Sequence, residues 1–250
     1  MTVPGKLLIH IQKSSEELAH LTVEHIVEIL TGAISARGKG SLVLSGGETP
    51  RRTYQLLGSE PLKRLVDWNK VHLYFSDERM VPPDHPESNF GMSRHEFIGQ
   101  IPIPAENVHR MKGECEPAIA AREYSDELHL NYREEIPRFD CVLLGIGEDG
   151  HTASLFPGTD AVKERKSIVV ALFVPRLNAW RTSLTFPVIN NAREVIMLVA
   201  GKNKASIVKN IIESPKASLK IPATLVHPRD GILHWMLDSE AASLVGPGSG

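Results

Sequence analysis

Eight short apolar runs, most of them separated by longer amphipathic stretches, leave few folds open to this chain. The runs are 7–11 LLIHI, 41–45 SLVLS, 71–76 VHLYFS, 139–145 FDCVLLG, 168–174 IVVALFV, 181–186 RTSLTF, 194–200 EVIMLVA and 232–238 ILHWMLD. Several are apolar without alternation, as expected of strands buried on both faces of a parallel sheet. Between them, residues 15–37 carry Leu18, Leu21, Ile26, Ile29, Leu30 and Ala33 at helical spacing. Residues 117–134 and 203–213 read the same way. Alternation of this kind predicts an α/β fold, a doubly wound and mostly parallel central sheet with helices on both faces and right-handed crossovers. No repeat, low-complexity tract or linker interrupts it. Residues 1–245 are therefore expected to form one domain, followed by a flexible tail, 246–250 GPGSG.

The 250 residues are 42% hydrophobic and 23% charged, with a net charge of −2. Such a chain has no general basic field, which argues against a nucleic-acid partner, so any anion site must be built locally. No apolar run reaches the roughly 18 residues a membrane span needs. The start, MTVPGKLLIHIQ, lacks the marks of a secretory signal. Two cysteines, Cys115 and Cys141, make no disulfide framework, and the cytoplasm is the expected compartment. Cys141 lies inside an apolar run and is expected to be a small buried thiol. There is no HExxH, HxH or CxxC pattern. His20 and His25 stand about 140° apart on a helix and cannot share a face. No metal and no other cofactor is expected.

In doubly wound folds ligands sit beyond the carboxyl ends of the strands. Three strand ends carry polar chemistry. After 41–45 comes Gly46-Gly47, then Glu48, with Thr49 as candidate N-cap and Pro50 as candidate first helical residue. Such a turn lets backbone N–H groups approach a phosphate, although a double glycine also serves ordinary tight turns. After 71–76 comes Asp77-Glu78-Arg79, which alone reads as solvated loop. The Pro-rich loop beyond it, with Ser88-Asn89 opening the next helix, lets Arg79 and Asn89 fold back over the strand ends. After 139–145 comes GEDGH, in which Asp149 can orient the His151 ring. There is no GxSxG elbow, and Ser154 follows His151 too closely to build a serine triad, so a base acting on water or on substrate protons is expected. Later in the chain, Arg181 and Lys204 are candidates to join the glycine turn around one dianion, although a lone lysine is most often a surface charge.

Together these segments resemble the 6-phosphogluconolactonase family. LSGGETP resembles its phosphate loop, YFSDERMVPPDHPESNFGM its second conserved segment, and LLGIGEDGHTASLFPG its most diagnostic signature. The later strands, RTSLTFPVINNAREVIMLVAGKNKA and PATLVHPRDGILHWMLD, extend the likeness over nearly the whole chain. The resemblance implies the glucosamine-6-phosphate deaminase-like fold and hydrolysis of 6-phospho-D-glucono-1,5-lactone to 6-phosphogluconate, in the oxidative pentose phosphate pathway, without metal or organic cofactor. It makes His151 the base, Asp149 its companion and Arg79 a substrate-binding residue, and it places Gly46, Gly47, Arg181 and Lys204 at the phosphate. Thr49 and Asn89 complete the expected substrate-binding set. Glu48 stands where the family usually has serine, and a carboxylate repels phosphate unless it turns away or pairs with a neighbour such as Arg51. The expected partner is a small sugar-phosphate lactone, with no nucleic acid and no membrane, and the expected assembly is a monomer or weak homodimer. Two other readings stand beside this one. A deaminase-isomerase of the same fold would need Asp77 as a second acid, and a sensor domain would need a DNA-binding partner domain.

Overall fold

The structure is a computed structural model that describes residues 6–213 and 220–246. Of the expected tail, 247–250 lie outside the described residues.

Strand β1 (Lys6–Gln12) leads into helix α1 (Ser15–Arg37). The Ser14 side chain accepts a hydrogen bond from Glu17 N at the start of α1, and Gly38 ends the helix in the left-handed region, φ 77°. Next come β2 (Gly40–Leu44), α2 (Arg51–Leu57), β3 (Val71–Phe75), β4 (Asp77–Arg79), α3 (Asn89–Glu96), α4 (Pro117–Asn131) and β5 (Cys141–Leu144). The chain finishes with β6 (Val169–Val174), β7 (Ala179–Leu184), α5 (Phe186–Ile189), β8 (Glu194–Val199), α6 (Ala205–Glu213) and β9 (Ile232–Asp238).

Six strands form one parallel sheet in the order β1-β9-β8-β5-β2-β3. Side-chain alternation divides its core in two. Leu42, Leu44, Leu73, Phe75, Cys141, Leu143 and Ile196 face α1 and α2, against Leu18, Val23, Ile26, Leu30, Tyr54 and Leu57. Val43, Val142, Leu144, Val195 and Met197 face the other way, toward α4, α6 and the remaining strands. With both faces covered, the inner strands carry apolar residues at every position, and each fully buried Leu or Val contributes roughly 1.5–3 kcal/mol.

Two expected strands do not belong to that sheet. β6 and β7 pair antiparallel with each other, and β4 joins them in a three-stranded sheet ordered β4-β7-β6. Only Pro175–Asn178 lie between β6 and β7, and so short a link joins antiparallel neighbours but not a parallel crossover. Phe173 and Trp180 remain exposed on this sheet, as its one-sided burial allows. The helix after the double glycine also differs from expectation. It begins at Arg51, Pro50 is the N-cap, and Thr49 makes no capping bond.

Candidate active site

Between β2 and β5 the winding of the sheet reverses, because β2 continues to β3 on one side and β5 to β8 on the other. A crevice at the carboxyl ends is the expected result. A cavity of about 650 Å³ opens there. It is lined by residues at or just past the strand ends: Ser45 to Thr49 after β2, Asp77 and Arg79 after β3, Gly145 to Gly147 after β5, Ala200 after β8 and Asp238 at the end of β9. Asn89, His151 and Lys204 line the same cavity. The three polar strand ends thus converge, as the carboxyl-end rule predicts.

The glycine turn is fixed by its neighbours. Tyr54 Oη accepts from Ser45 N at 2.9 Å and donates to Ser45 O at 2.8 Å, anchoring the end of β2. Gly47 has φ 94°, which L side chains rarely adopt. A Cβ at Gly46 would lie 1.8 Å from Asn89 Oδ1. Asn89 is held there by its Nδ2, which donates to Asp77 O at 2.8 Å. Around this turn, Ser45 Oγ, Thr53 Oγ1 and Asn89 Oδ1 are buried without a hydrogen-bond partner. Buried polar atoms are normally satisfied, so such a cluster in a cavity wall marks a place for a polar ligand. Three cations line the same cavity: Arg52 is paired with Glu16, whereas neither Lys204 nor Arg79 forms an ion pair with any described residue, and Arg79 Nη1 donates to Glu87 O at 2.6 Å. Helix α2 has only seven residues and starts late, so backbone donors and side chains, rather than a helix dipole, define the turn.

Glu48 turns away. Its side chain is 84% exposed and pairs with Arg51 Nε at 3.1 Å, while Arg51 Nη1 reaches Glu96 at 2.5 Å. The Arg51 charge offsets part of the repulsion expected from a carboxylate at this position. Glu48→Ser should leave the KM for a phosphorylated substrate within about twofold of the parent, as is usual for an exposed ion pair. Steady-state kinetics of the purified variant would measure this.

His151 lines the same cavity, and its Nδ1 meets Asp149 Oδ1 at 2.5 Å. The turn is closed by Gly147 N donating to His151 O and Gly150 N to Gly147 O. A Cβ on Gly147 would fall 2.0 Å from His151 Nδ1, so only glycine fits beneath the pair. Gly150 adopts φ 79°, and Ala153, which lines the cavity, is held at φ 46°, a strained value for a residue with a side chain. With Nδ1 turned to the carboxylate, Nε2 is the nitrogen left with a free lone pair, and no described residue bonds to it. The imidazole is about a quarter exposed, so a substrate can reach it. Burial pushes its pKa below the ordinary histidine range, against an upward pull from Asp149. Burial acts against the Asp149 charge as well, but the hydrogen bonds from His151 and the charge of Arg176 outweigh it and hold the carboxyl below its usual range.

Arg176 and Phe156 gave no signal in the sequence, and other residues take roles different from those expected. Arg176 Nη1 lies 2.7 Å from Asp149 Oδ2, an ion contact rather than an aligned hydrogen bond, and its guanidinium covers the Phe156 ring at 4.7 Å. Phe156 in turn stacks on His151, centroids 4.1 Å apart. Asp77 is buried, accepting from Ser76 Oγ and from Ser154 Oγ at 2.7 Å. Ser154 is thus tied to a carboxylate and is not poised as a nucleophile. Glu78 is not solvated: its buried carboxylate accepts from the backbone N of Arg79, Asn89 and Phe90 and from Ser88 Oγ, which clamps the start of α3. Arg181 is the one expected phosphate ligand that the structure keeps out of the cavity lining. It sits opposite Arg79 in the β4–β7 register and donates to Trp180 O.

A doubly wound sheet with a His–Asp pair and an anion-ready turn in one cleft is the layout of an α/β enzyme that moves protons on an anionic small molecule. The chain belongs to the family of glucosamine-6-phosphate isomerases and 6-phosphogluconolactonases, whose model matches residues 13–235. The human 6-phosphogluconolactonase is 36% identical over 98% of this chain and 96% of its own. The solved 6-phosphogluconolactonase of Trypanosoma brucei is 29% identical, covering 97% of this chain and all of that one at a TM-score of 0.84. A monomeric glucosamine-6-phosphate deaminase, 22% identical with a TM-score of 0.79 over 95% and 99% of the two chains, shares the fold.

Proposed function

We propose that the protein hydrolyses 6-phospho-D-glucono-1,5-lactone to 6-phospho-D-gluconate, with His151 as general base. The observation that carries this reading is the opening of His151, held by Asp149 from behind, into the same cavity as the Gly46–Gly47 turn and Lys204. A sugar lactone with a phosphate at one end and an electrophilic carbonyl at the other needs these two features, set apart within one cleft. The phosphate is held by Lys204 and the backbone N–H groups of the glycine turn, with Ser45, Thr53 and Asn89 within the same wall. Arg79 contributes positive charge near the sugar. Binding energy at the phosphate then positions the carbonyl at a distance.

Water attacking C1 loses a proton to His151 Nε2, and the carbonyl π electrons move onto oxygen to give the tetrahedral oxyanion. The Arg79 charge stabilises that oxyanion. As the oxyanion collapses, the C1–ring-oxygen bond breaks and the imidazolium returns its proton to the leaving oxygen. Asp149 holds the ring with Nδ1–H toward itself and stabilises the imidazolium; Arg176 and Phe156 keep Asp149 and the ring in place. The reaction balances with water alone. Ammonia release from an amino sugar is a weaker fit, because Asp77, the second acid it would need, is engaged by Ser76 and Ser154. The setting that goes with this activity is the cytoplasm, with both cysteines free, and a monomer or weak homodimer without nucleic-acid or membrane partner. Among the described residues no helix is long and apolar enough to cross a membrane.

The pH profile follows from the pKa directions. The base works as neutral imidazole, the form present above its pKa. Because burial lowers that pKa below 6.5, kcat/KM should rise with pH through a value below 6.5 and be flat by pH 7. Asp149→Asn removes the upward pull, so its acid limb should move lower still while kcat falls. A limb that moves upward in this variant would refute the pairing. The measurement is kcat/KM from pH 4.5 to 7 with spontaneous hydrolysis subtracted.

A further inference from the structure

At the opposite, amino ends of the same strands lies a second cavity of about 440 Å³. Gly40 and Ser41 open β2, His72 is near the start of β3, and Asp140 and Arg193 precede β5 and β8, and all five line it. Five cationic side chains surround it, Arg37, Lys39, Arg133, Arg138 and Arg193, against two acids, Glu134 and Asp140. In a chain of net charge −2 this is a local concentration of positive charge that folding does not require.

The counter-charges are too few for the guanidiniums. Asp140 is buried and accepts from Ser41 N at 2.9 Å and Ser41 Oγ at 3.0 Å. It must also serve Arg37 Nη2 at 2.6 Å and Arg193 Nε at 3.3 Å. Arg138 reaches outward to Asp230 at 2.9 Å, and its own Nε is buried without a partner. The Arg193 guanidinium is held below its ordinary range by burial and then by the charges of Arg37 and Arg138, so the three cations repel one another. Several like charges sharing a half-buried hollow are stabilised when an anion enters, and the planar forks of arginine match phosphate oxygens.

We propose that this basal cavity binds a small phosphorylated metabolite, carrying a phosphate or diphosphate group, at a site separate from the cleft. Its volume and concavity suit a small molecule rather than a polyanionic chain, which would need an open basic face. The Tyr74 and Tyr132 rings pack against Phe139, so charge and hydrogen bonds hold the ligand and base stacking does not. Strand β2, of five residues, places the site roughly 15 Å from the glycine turn, on the same rigid sheet.

The test is a calorimetric titration with inorganic diphosphate of the parent protein and of Lys39→Ala/Arg138→Ala, both substitutions far from the cleft. The parent should show binding that the double variant loses by about tenfold or more in affinity, while lactone hydrolysis stays at the parental rate. Should circular dichroism show that this variant is misfolded, Lys39→Ala/Arg133→Ala, both on the exposed rim, is titrated in its place. Superimposable isotherms for the parent and a folded variant, or no binding by the parent outside the cleft, would overturn the proposal.

Discussion

Replacing His151 by alanine should lower kcat for 6-phosphogluconolactone by about 10²–10⁴-fold, the range for a lost general base, with KM little changed. The split follows from the geometry. Lys204 and the Gly46–Gly47 turn are untouched, so the variant still binds the phosphate end, but no group is left to take the proton from water. The residual rate should come from positioning and oxyanion stabilisation. Ser154 cannot substitute, because its hydroxyl is already committed to the buried Asp77. Near-parental kcat in the folded variant would remove His151 from the mechanism.

Lys204→Ala should produce the second largest effect and a different signature. One charge-assisted contact contributes roughly 1.5–3 kcal/mol, so kcat/KM for the phosphorylated lactone should fall on the order of ten- to a hundred-fold. Unphosphorylated gluconolactone has nothing for Lys204 to hold, and its hydrolysis should barely change. Arg181→Ala belongs beside it as a contrast. Its guanidinium lies against Arg79 and outside the cavity lining, so its loss should be smaller than that of Lys204. Equal losses on both lactones in Lys204→Ala would show that this lysine does not contact phosphate.

The parts of the fold legible in the sequence were those set by local pattern. Uninterrupted apolar runs marked strands buried on two sides, and Gly46-Gly47 and the Gly147–Gly150 turn marked strand ends whose backbone geometry side chains would block. What escaped depends on tertiary partners. Asp77-Glu78-Arg79 reads as solvated because nothing nearby in sequence shows that Ser154 and the amides of Asn89 and Phe90 will satisfy two buried carboxylates. The antiparallel sheet of β4, β6 and β7 was hidden for a similar reason, since period and composition mark strands but not their partners. Arg176, 25 residues beyond His151, reaches the catalytic pair only because the β6–β7 hairpin folds back over Phe156. The same hairpin register carries Arg181 to Arg79 instead of into the cavity. Glu48 reads from sequence as a repulsive neighbour of phosphate; the Arg51 that pairs with it is also held by Glu96, which needs α3 in place.

The central claim is that the cleft is built for lactone hydrolysis at one end of a phosphorylated sugar acid. Its most direct test is the rate at which freshly generated 6-phosphogluconolactone disappears with the purified protein, less the spontaneous rate, beside ammonia release from glucosamine 6-phosphate under the same conditions. The account predicts protein-dependent lactone loss that saturates with substrate, survives chelator treatment and is accompanied by no ammonia. Ammonia release, or lactone loss no faster than in buffer, would contradict it.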